Sequence, residues 1–130
     1  MNYQVGDFII RLKNAALARR RTTLVSFSKN NKAIADIMIK EGFLSSIKED
    51  TQEGKKVFVI GLAYENRTPV ISDVLLFSKP SLRVYQKAKN IKKLQKRGFD
   101  LEIISTSLGI MSVKEAKKKG IGGELLFKVW

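Results

Sequence analysis

The apolar positions first recur at helical spacing. Phe8, Ile9, Leu12, Ala15 and Ala16 fall on one side behind Asp7, and the spacing predicts a helix from about residue 7 to 18. An acidic residue at its start suits the helix dipole. Arg19-Arg20-Arg21 follow, and the β-branched stretch Thr22 to Phe27 then predicts a strand. Ser28 is placed to cap a second helix with Ala33, Ile34, Ile37 and Met38 on its inner face. Gly42 ends that helix, because glycine accepts a left-handed turn cheaply. Phe43 to Lys48 and Lys55 to Tyr64 predict a hairpin, with the polar residues 49–54 as its loop. The first half therefore reads α-β-α-β-β, one open sheet with two helices on a face. Asn66-Arg67-Thr68-Pro69 is a turn, and it divides the chain into expected domains of residues 1–66 and 67–130.

The second half reads as mostly β with short helices. Val70 to Phe77 predicts a strand, Ser78-Lys79-Pro80-Ser81 a turn, and Leu82 to Tyr85 a short extended piece. Asn90 caps a basic helix with Ile91 and Leu94 inward, closed by Gly98. Leu101 to Ile104 reads as a buried strand. Ser105-Thr106-Ser107-Leu108-Gly109-Ile110-Met111 has neither helical nor strand period and reads as a loop. Ser112 and Glu115 have capping-box spacing, which starts a short helix at Val113 that ends at Gly120. Gly122-Gly123 open a last strand with Leu125, Phe127 and Val129 on one face. The fold class is thus mixed α/β in the α+β sense. Phe8, Phe27, Phe43, Phe77 and Phe127 read as core, with Trp130 clamping the C-terminus.

Charge changes this picture from a fold to a partner. Lys and Arg number 25 against 12 Asp and Glu, a formal net charge of +13. A surplus of that size answers to an acidic partner: nucleic acid, an anionic membrane surface or an acidic protein. Residues 79–119 carry twelve cations against three acids, a net of +9, whereas residues 1–64 carry eleven against six. The electrostatic footprint leans to the C-terminal half. No cysteine and no histidine is present, which excludes thiol catalysis, disulfides and the common zinc sites. No cofactor is implied. No apolar run approaches the roughly 18 residues of a membrane span, and the first residues lack a secretory pattern. An intracellular soluble protein is expected.

Four features carry candidate chemistry. The hydroxyls of Ser105, Thr106 and Ser107 suit sugar, phosphate and base edges of RNA, although a solvated turn favours the same residues. Gly122 and Gly123 let backbone approach a ligand, with Glu124 beside them to accept from a base amino group. A bulge or a tight start to the strand needs the same glycines. Tyr85 lies between Arg83 and Lys87, as suits stacking on an unpaired base, or a core tyrosine. Lys117, Lys118 and Lys119, with the cations of 92–97, flank the hydroxyl stretch and favour phosphate contact. A membrane-docking reading would need exposed apolar residues on the 90–97 helix, where Ile91 and Leu94 are required inside. An RNA-directed enzyme would need clustered carboxylates, and only Asp100 and Glu102, two apart on a strand, stand near one another.

The combination is more specific than its parts. Lys79-Pro80-Ser81-Leu82-Arg83-Val84-Tyr85, then Ser105 to Ser112, then Gly120-Ile121-Gly122-Gly123-Glu124-Leu125, and the final Val129-Trp130 resemble the bacterial form of the family of the small-subunit ribosomal protein numbered eight. Arg11-Leu12-Lys13-Asn14-Ala15 and Lys40-Glu41-Gly42-Phe43 resemble its first half, so the likeness covers essentially the whole chain. It implies a two-domain α/β protein bound to the central domain of small-subunit rRNA, reading an irregular hairpin chiefly through its C-terminal domain and aiding assembly. The implied partners are that rRNA, neighbouring small-subunit proteins and the protein's own operon mRNA, in the cytoplasm on a bacterial ribosome, or on an organellar one. The implied reading residues are Ser105, Thr106, Ser107, Gly122, Gly123, Glu124 and Tyr85, with Arg11 and Lys29 at basic positions of the N-terminal domain. Leu108 stands where family members generally carry Lys or Arg, and Ser81 replaces the usual glycine before Tyr85.

Overall fold

The computed structural model describes residues 4–77, 85–86 and 100–130. The predicted turn at 78–81, the extended piece before Tyr85 and the helix at 90–97 lie outside them, as do Arg83 and Lys87. The first helix, α1, spans Gln4–Leu17 and buries Val5, Phe8, Ile9, Leu12, Ala15 and Ala16. It begins before Asp7, which sits in the first turn and pairs with Arg11 one turn later at 3.0 Å rather than capping the end. Strand β1 (Thr22–Ser26) stops short of Phe27, whose half-exposed ring stacks on Phe58 at 4.8 Å instead of entering the core. Helix α2 (Lys29–Lys40) is capped by Ser28, whose hydroxyl accepts from Asn31 N at 3.2 Å. Its inner face is Asn31, Ile34, Ala35 and Met38, with Ala33 and Ile37 only half-buried. Asn31 displaces them because its amide donates to Ser26 O at 3.0 Å and closes the corner between β1 and α2.

Strands β2 (Leu44–Gln52) and β3 (Lys55–Leu62) form a longer hairpin than the polar pattern predicts. Gln52 pairs with Lys55, so Glu53 and Gly54 alone make the turn, at φ of 52° and 77°. Both central residues having positive φ matches the twist of the flanking strands. Residues 49–52 are strand despite being polar because the ladder outruns the core. The sheet order is β1-β3-β2, all antiparallel. The expected turn at 66–69 is itself a small hairpin, β4 (Tyr64–Glu65) and β5 (Thr68–Pro69), with Asn66 and Arg67 at its tip.

The second sheet comprises β6 (Val74–Leu76), β7 (Tyr85–Gln86), β8 (Leu101–Thr106), β9 (Gly109–Ser112) and β10 (Gly123–Val129). β6 is shorter than the predicted 70–77 strand, because Ser72 and Asp73 bond the backbone of Trp130 instead of a ladder. The order is β6-β10-β8-β9, and β7 also pairs with β10, near its start. The apparent loop at 105–111 is a hairpin: Thr106 pairs with Gly109, leaving Ser107 and Leu108 as the turn. Its alternation is hidden because Ser105 to Gly109 run past the covered part of the sheet and are half-buried or exposed on both faces. Ile103 enters the main core, and Ile104 packs with Met111, Val113, Ala116 and Leu125 beneath helix α3 (Val113–Lys119).

A bulge redirects β10. Leu125 pairs with Ile104 and Phe127 with Ile103, so Leu126 is extra. Leu125 therefore faces α3, while Phe127 and Val129 face the main core, and the three do not share a face as their spacing predicts. One apolar cluster runs from Phe8, Ile34 and Phe58 to Ile103, Phe127 and Val129, joining both sheets. The fold is α+β.

Candidate nucleic-acid interface

The site is built on register. On β10, Glu124 stands opposite Tyr85 of β7 on one side and Ser105 of β8 on the other. Ser105 in turn pairs with Ile110 of β9. Directly opposed residues on a sheet project to the same face with Cβ atoms about 5 Å apart. An aromatic ring, a carboxylate and a hydroxyl thus form one row across three strands, although 38 residues of chain lie between Tyr85 and Glu124. Tyr85 is 70% exposed, which removes the core reading of that residue. Ile110 ends the row and was not signalled by composition.

The three hydroxyls do not act alike. Ser105 belongs to the row. Thr106 Oγ1 accepts from Leu108 N at 3.2 Å and donates to Gly109 O at 2.8 Å, so it laces the tip of the hairpin. Ser107 is exposed on the turn beside Leu108, itself 69% exposed. Gly123 lies against the end of β8, where a Cβ would fall 2.9 Å from the Ser105 carbonyl carbon and closer still to its oxygen. The absence of a side chain there is required by strand approach. Gly122 is half-buried between Gly120, at φ 68°, and β10.

Lys117 and Lys118 are exposed on α3, whose start is capped by Ser112 accepting from Glu115 N at 3.2 Å. Lys119 pairs with Glu115 at 3.5 Å. Since α3 covers the Ile104 and Leu125 face, it lies across the sheet from the row. Arg11 and Lys29 are brought to neither. Arg11 Nε is held by Asp7, and its Nη1 reaches Leu24 O at 3.4 Å. Lys29 is exposed in the first turn of α2, where the dipole disfavours a cation. Asp100 and Glu102 converge on Lys128, not on open space. Asp100 bonds its Nζ at 3.0 Å with both side chains largely buried, and Glu102 faces Lys128 across the ladder. Burial pushes the Glu102 carboxyl above its ordinary value, with Lys128 opposing and Asp100 adding to the rise. That arrangement is a neutralised structural cluster.

Two antiparallel sheets on one core, a strongly basic composition, and a row at strand ends that runs from exposed Tyr85 to half-buried Glu124 and Ser105 define a basic α+β protein. Residues 4–130 match the family model described as Ribosomal protein S8. The chain is 41% identical over 131 residues to the small ribosomal subunit protein uS8 of Trichormus variabilis, across 99% of this chain and 98% of that protein. It is 42% identical to uS8 of Wolbachia sp. subsp. Brugia malayi, across 97% and 95%. It is also 42% identical to uS8 of Caldanaerobacter subterraneus subsp. tengcongensis, across 100% and 98%. The chain belongs to the Ribosomal protein S8 family.

Proposed function

We propose that the chain is a structural constituent of the small ribosomal subunit that binds rRNA directly, reading an irregular hairpin of the central domain early in assembly. The observation that carries this reading is the row Tyr85–Glu124–Ser105 on adjacent strands. Its three members offer what an unpaired RNA segment needs: a π-face for stacking, an acceptor for a base amino group, and a hydroxyl for sugar or phosphate oxygen. Ser107 extends the row at the hairpin tip. Arg83 and Lys87 supply charge for the flanking phosphates, Lys117 and Lys118 meet backbone that passes the α3 face of the sheet, and Arg11 and Lys29 supply lesser backbone contacts from the first half. Because the row sits on paired strands, little side-chain and backbone freedom is lost on binding. The division of labour between residues 1–66 and 67–130 belongs to this reading, as do contacts with neighbouring small-subunit proteins.

Footprinting on purified small-subunit rRNA tests it. Protection confined to one central-domain hairpin is the expected result, and protection scattered along the molecule would reject it. Repression of the protein's own message follows if that message carries a hairpin of the same shape. The two RNAs should then compete for one surface, and simultaneous binding of both to one molecule would exclude a shared site.

A further inference from the structure

One stretch of this basic chain is free of charge. Residues 103–113 contain no Asp, Glu, Lys or Arg, the longest such run in a chain of net charge +13. The run holds the end of β8, the Ser107-Leu108 turn and the whole of β9. Its core members are buried, but Ser107 and Leu108 stand in water. The other two-residue turns between described strands, Glu53-Gly54 and Asn66-Arg67, each carry a charge and no apolar side chain. A neutral turn gains nothing from phosphate charge, so what it offers RNA is hydrogen bonding and apolar surface.

Leu108 is the apolar part of that offer. It is 69% exposed, against 70% for Tyr85, and it belongs to neither apolar cluster of the core. Its place is nevertheless fixed. Leu108 N donates to Thr106 Oγ1 at 3.2 Å, the same hydroxyl donates to Gly109 O at 2.8 Å, and Gly109 closes the turn at φ of 119°. A side chain on a fixed backbone gains by leaving water on binding and loses little freedom in doing so. A single exposed leucine is ordinary on a protein surface, but this one lies within reach of the row. Ser105 is two strand spacings from Tyr85, about 10 Å. Leu108 follows Ser105 by three residues, a span of at most about 11 Å. One short RNA segment can touch all three.

We propose that Leu108 is a specificity-determining residue of the RNA site, packing on the ribose and base edge that an irregular hairpin presents in its wide, shallow minor groove. It reads shape instead of phosphate, and so separates the irregular hairpin from regularly paired RNA. This deepens the RNA-binding reading of the row and rests on it.

The test uses the full chain with Leu108→Ala, Leu108→Met and Leu108→Lys against two probes: the central-domain hairpin of small-subunit rRNA and a fully paired hairpin of the same length. Leu108→Ala should weaken the first by about tenfold, as expected for burial of much of a leucine side chain. It should leave the second, the log–log salt slope and the thermal midpoint unchanged. Leu108→Met keeps the apolar volume and should stay within about threefold of wild type. Leu108→Lys should steepen the slope by about one and narrow the gap between the two probes. Full-strength binding by Leu108→Ala, or equal weakening on both probes, overturns the proposal. So does Leu108→Lys binding the central-domain hairpin more tightly with the gap preserved, which would set the tip against phosphate. A lowered midpoint for Leu108→Ala also overturns it, because the side chain would then be packed in the free protein. Failure of the wild-type chain to prefer the central-domain hairpin would instead reject the reading on which the proposal rests. A second measurement needs no substitution. With leucine methyl groups labelled, the Leu108 methyls should show magnetisation transfer from ribose or base protons of the bound hairpin, and methyls still facing water in the complex overturn the assignment.

Discussion

Thr106 and Ser107 are neighbours of similar chemistry with different duties. The Thr106 hydroxyl holds both ends of the hairpin turn, donating to Gly109 O and accepting from Leu108 N. The Ser107 side chain makes no such bond among the described residues and lies exposed beyond the ladder. Replacing Thr106 by Val keeps the shape and removes both hydrogen bonds, a loss of about 1–2 kcal/mol in stability. Thr106→Ser should restore stability and RNA binding together. Ser107→Ala should leave the thermal midpoint almost unchanged while weakening the cognate hairpin by about 1–3 kcal/mol, leaving the salt slope intact. Paired thermal melts and binding titrations separate the two cases. If Ser107→Ala binds at full strength, the tip is a turn and nothing more.

At the scale of elements, α3 shows how little local sequence a seven-residue helix needs when a sheet supports it. Isolated, a helix of this length does not form in water. Here Ser112 satisfies one end, Gly120 takes the left-handed conformation at the other, and Val113 and Ala116 pack on Ile104, Met111 and Leu125. Lys117, Lys118 and Lys119 in the last turn also suit the dipole. Ser112→Ala should cost about 1 kcal/mol, and Ser112→Asp should recover most of it. Amide exchange should show the loss concentrated in residues 113–119, with β1 to β3 unaffected. Uniform loss of protection would mean that α3 and the first sheet unfold as one unit.

Across the molecule, one ion pair and one set of backbone bonds join the chain's ends. Lys13 of α1 meets Asp73 at 3.1 Å, and Asp73 and Ser72 share backbone bonds with Trp130. The N–H of Val74, and then Lys13, hold the Asp73 carboxyl below its ordinary value. A depressed carboxylate contributes stability that is present above its unfolded-state value and lost as pH falls through its folded value. Asp73→Asn should therefore be slightly less stable than wild type at neutral pH and equal to it in strong acid. Urea melts at both pH values check this, and a gap that widens on acidification would contradict the assignment. The pair is half-exposed, so its effect is modest. The net charge of +13 acts on a larger scale still. With about six phosphates neutralised, RNA affinity should fall with salt at a log–log slope of about −4 to −5. A slope shallower than about −1 would remove electrostatics as a main source of affinity.

What the sequence determined by itself was local. The periods of α1 and α2, the cap at Ser28, the Ser112 and Glu115 box, and the stops at Gly42 and Gly120 are choices made within a turn or two of chain. Family motifs extended that to the C-terminal residues as a set. Tertiary structure alone decided the 105–112 hairpin, the ladder through the polar residues 49–52, and the bulge that parts Leu125 from Phe127. It also decided that Tyr85, Glu124 and Ser105 share a row while Lys117 and Lys118 stand on the other face. Helix periods and caps are satisfied by neighbours three or four residues away. A strand's partner lies anywhere along the chain, and a one-residue slip in register turns every side chain to the opposite face.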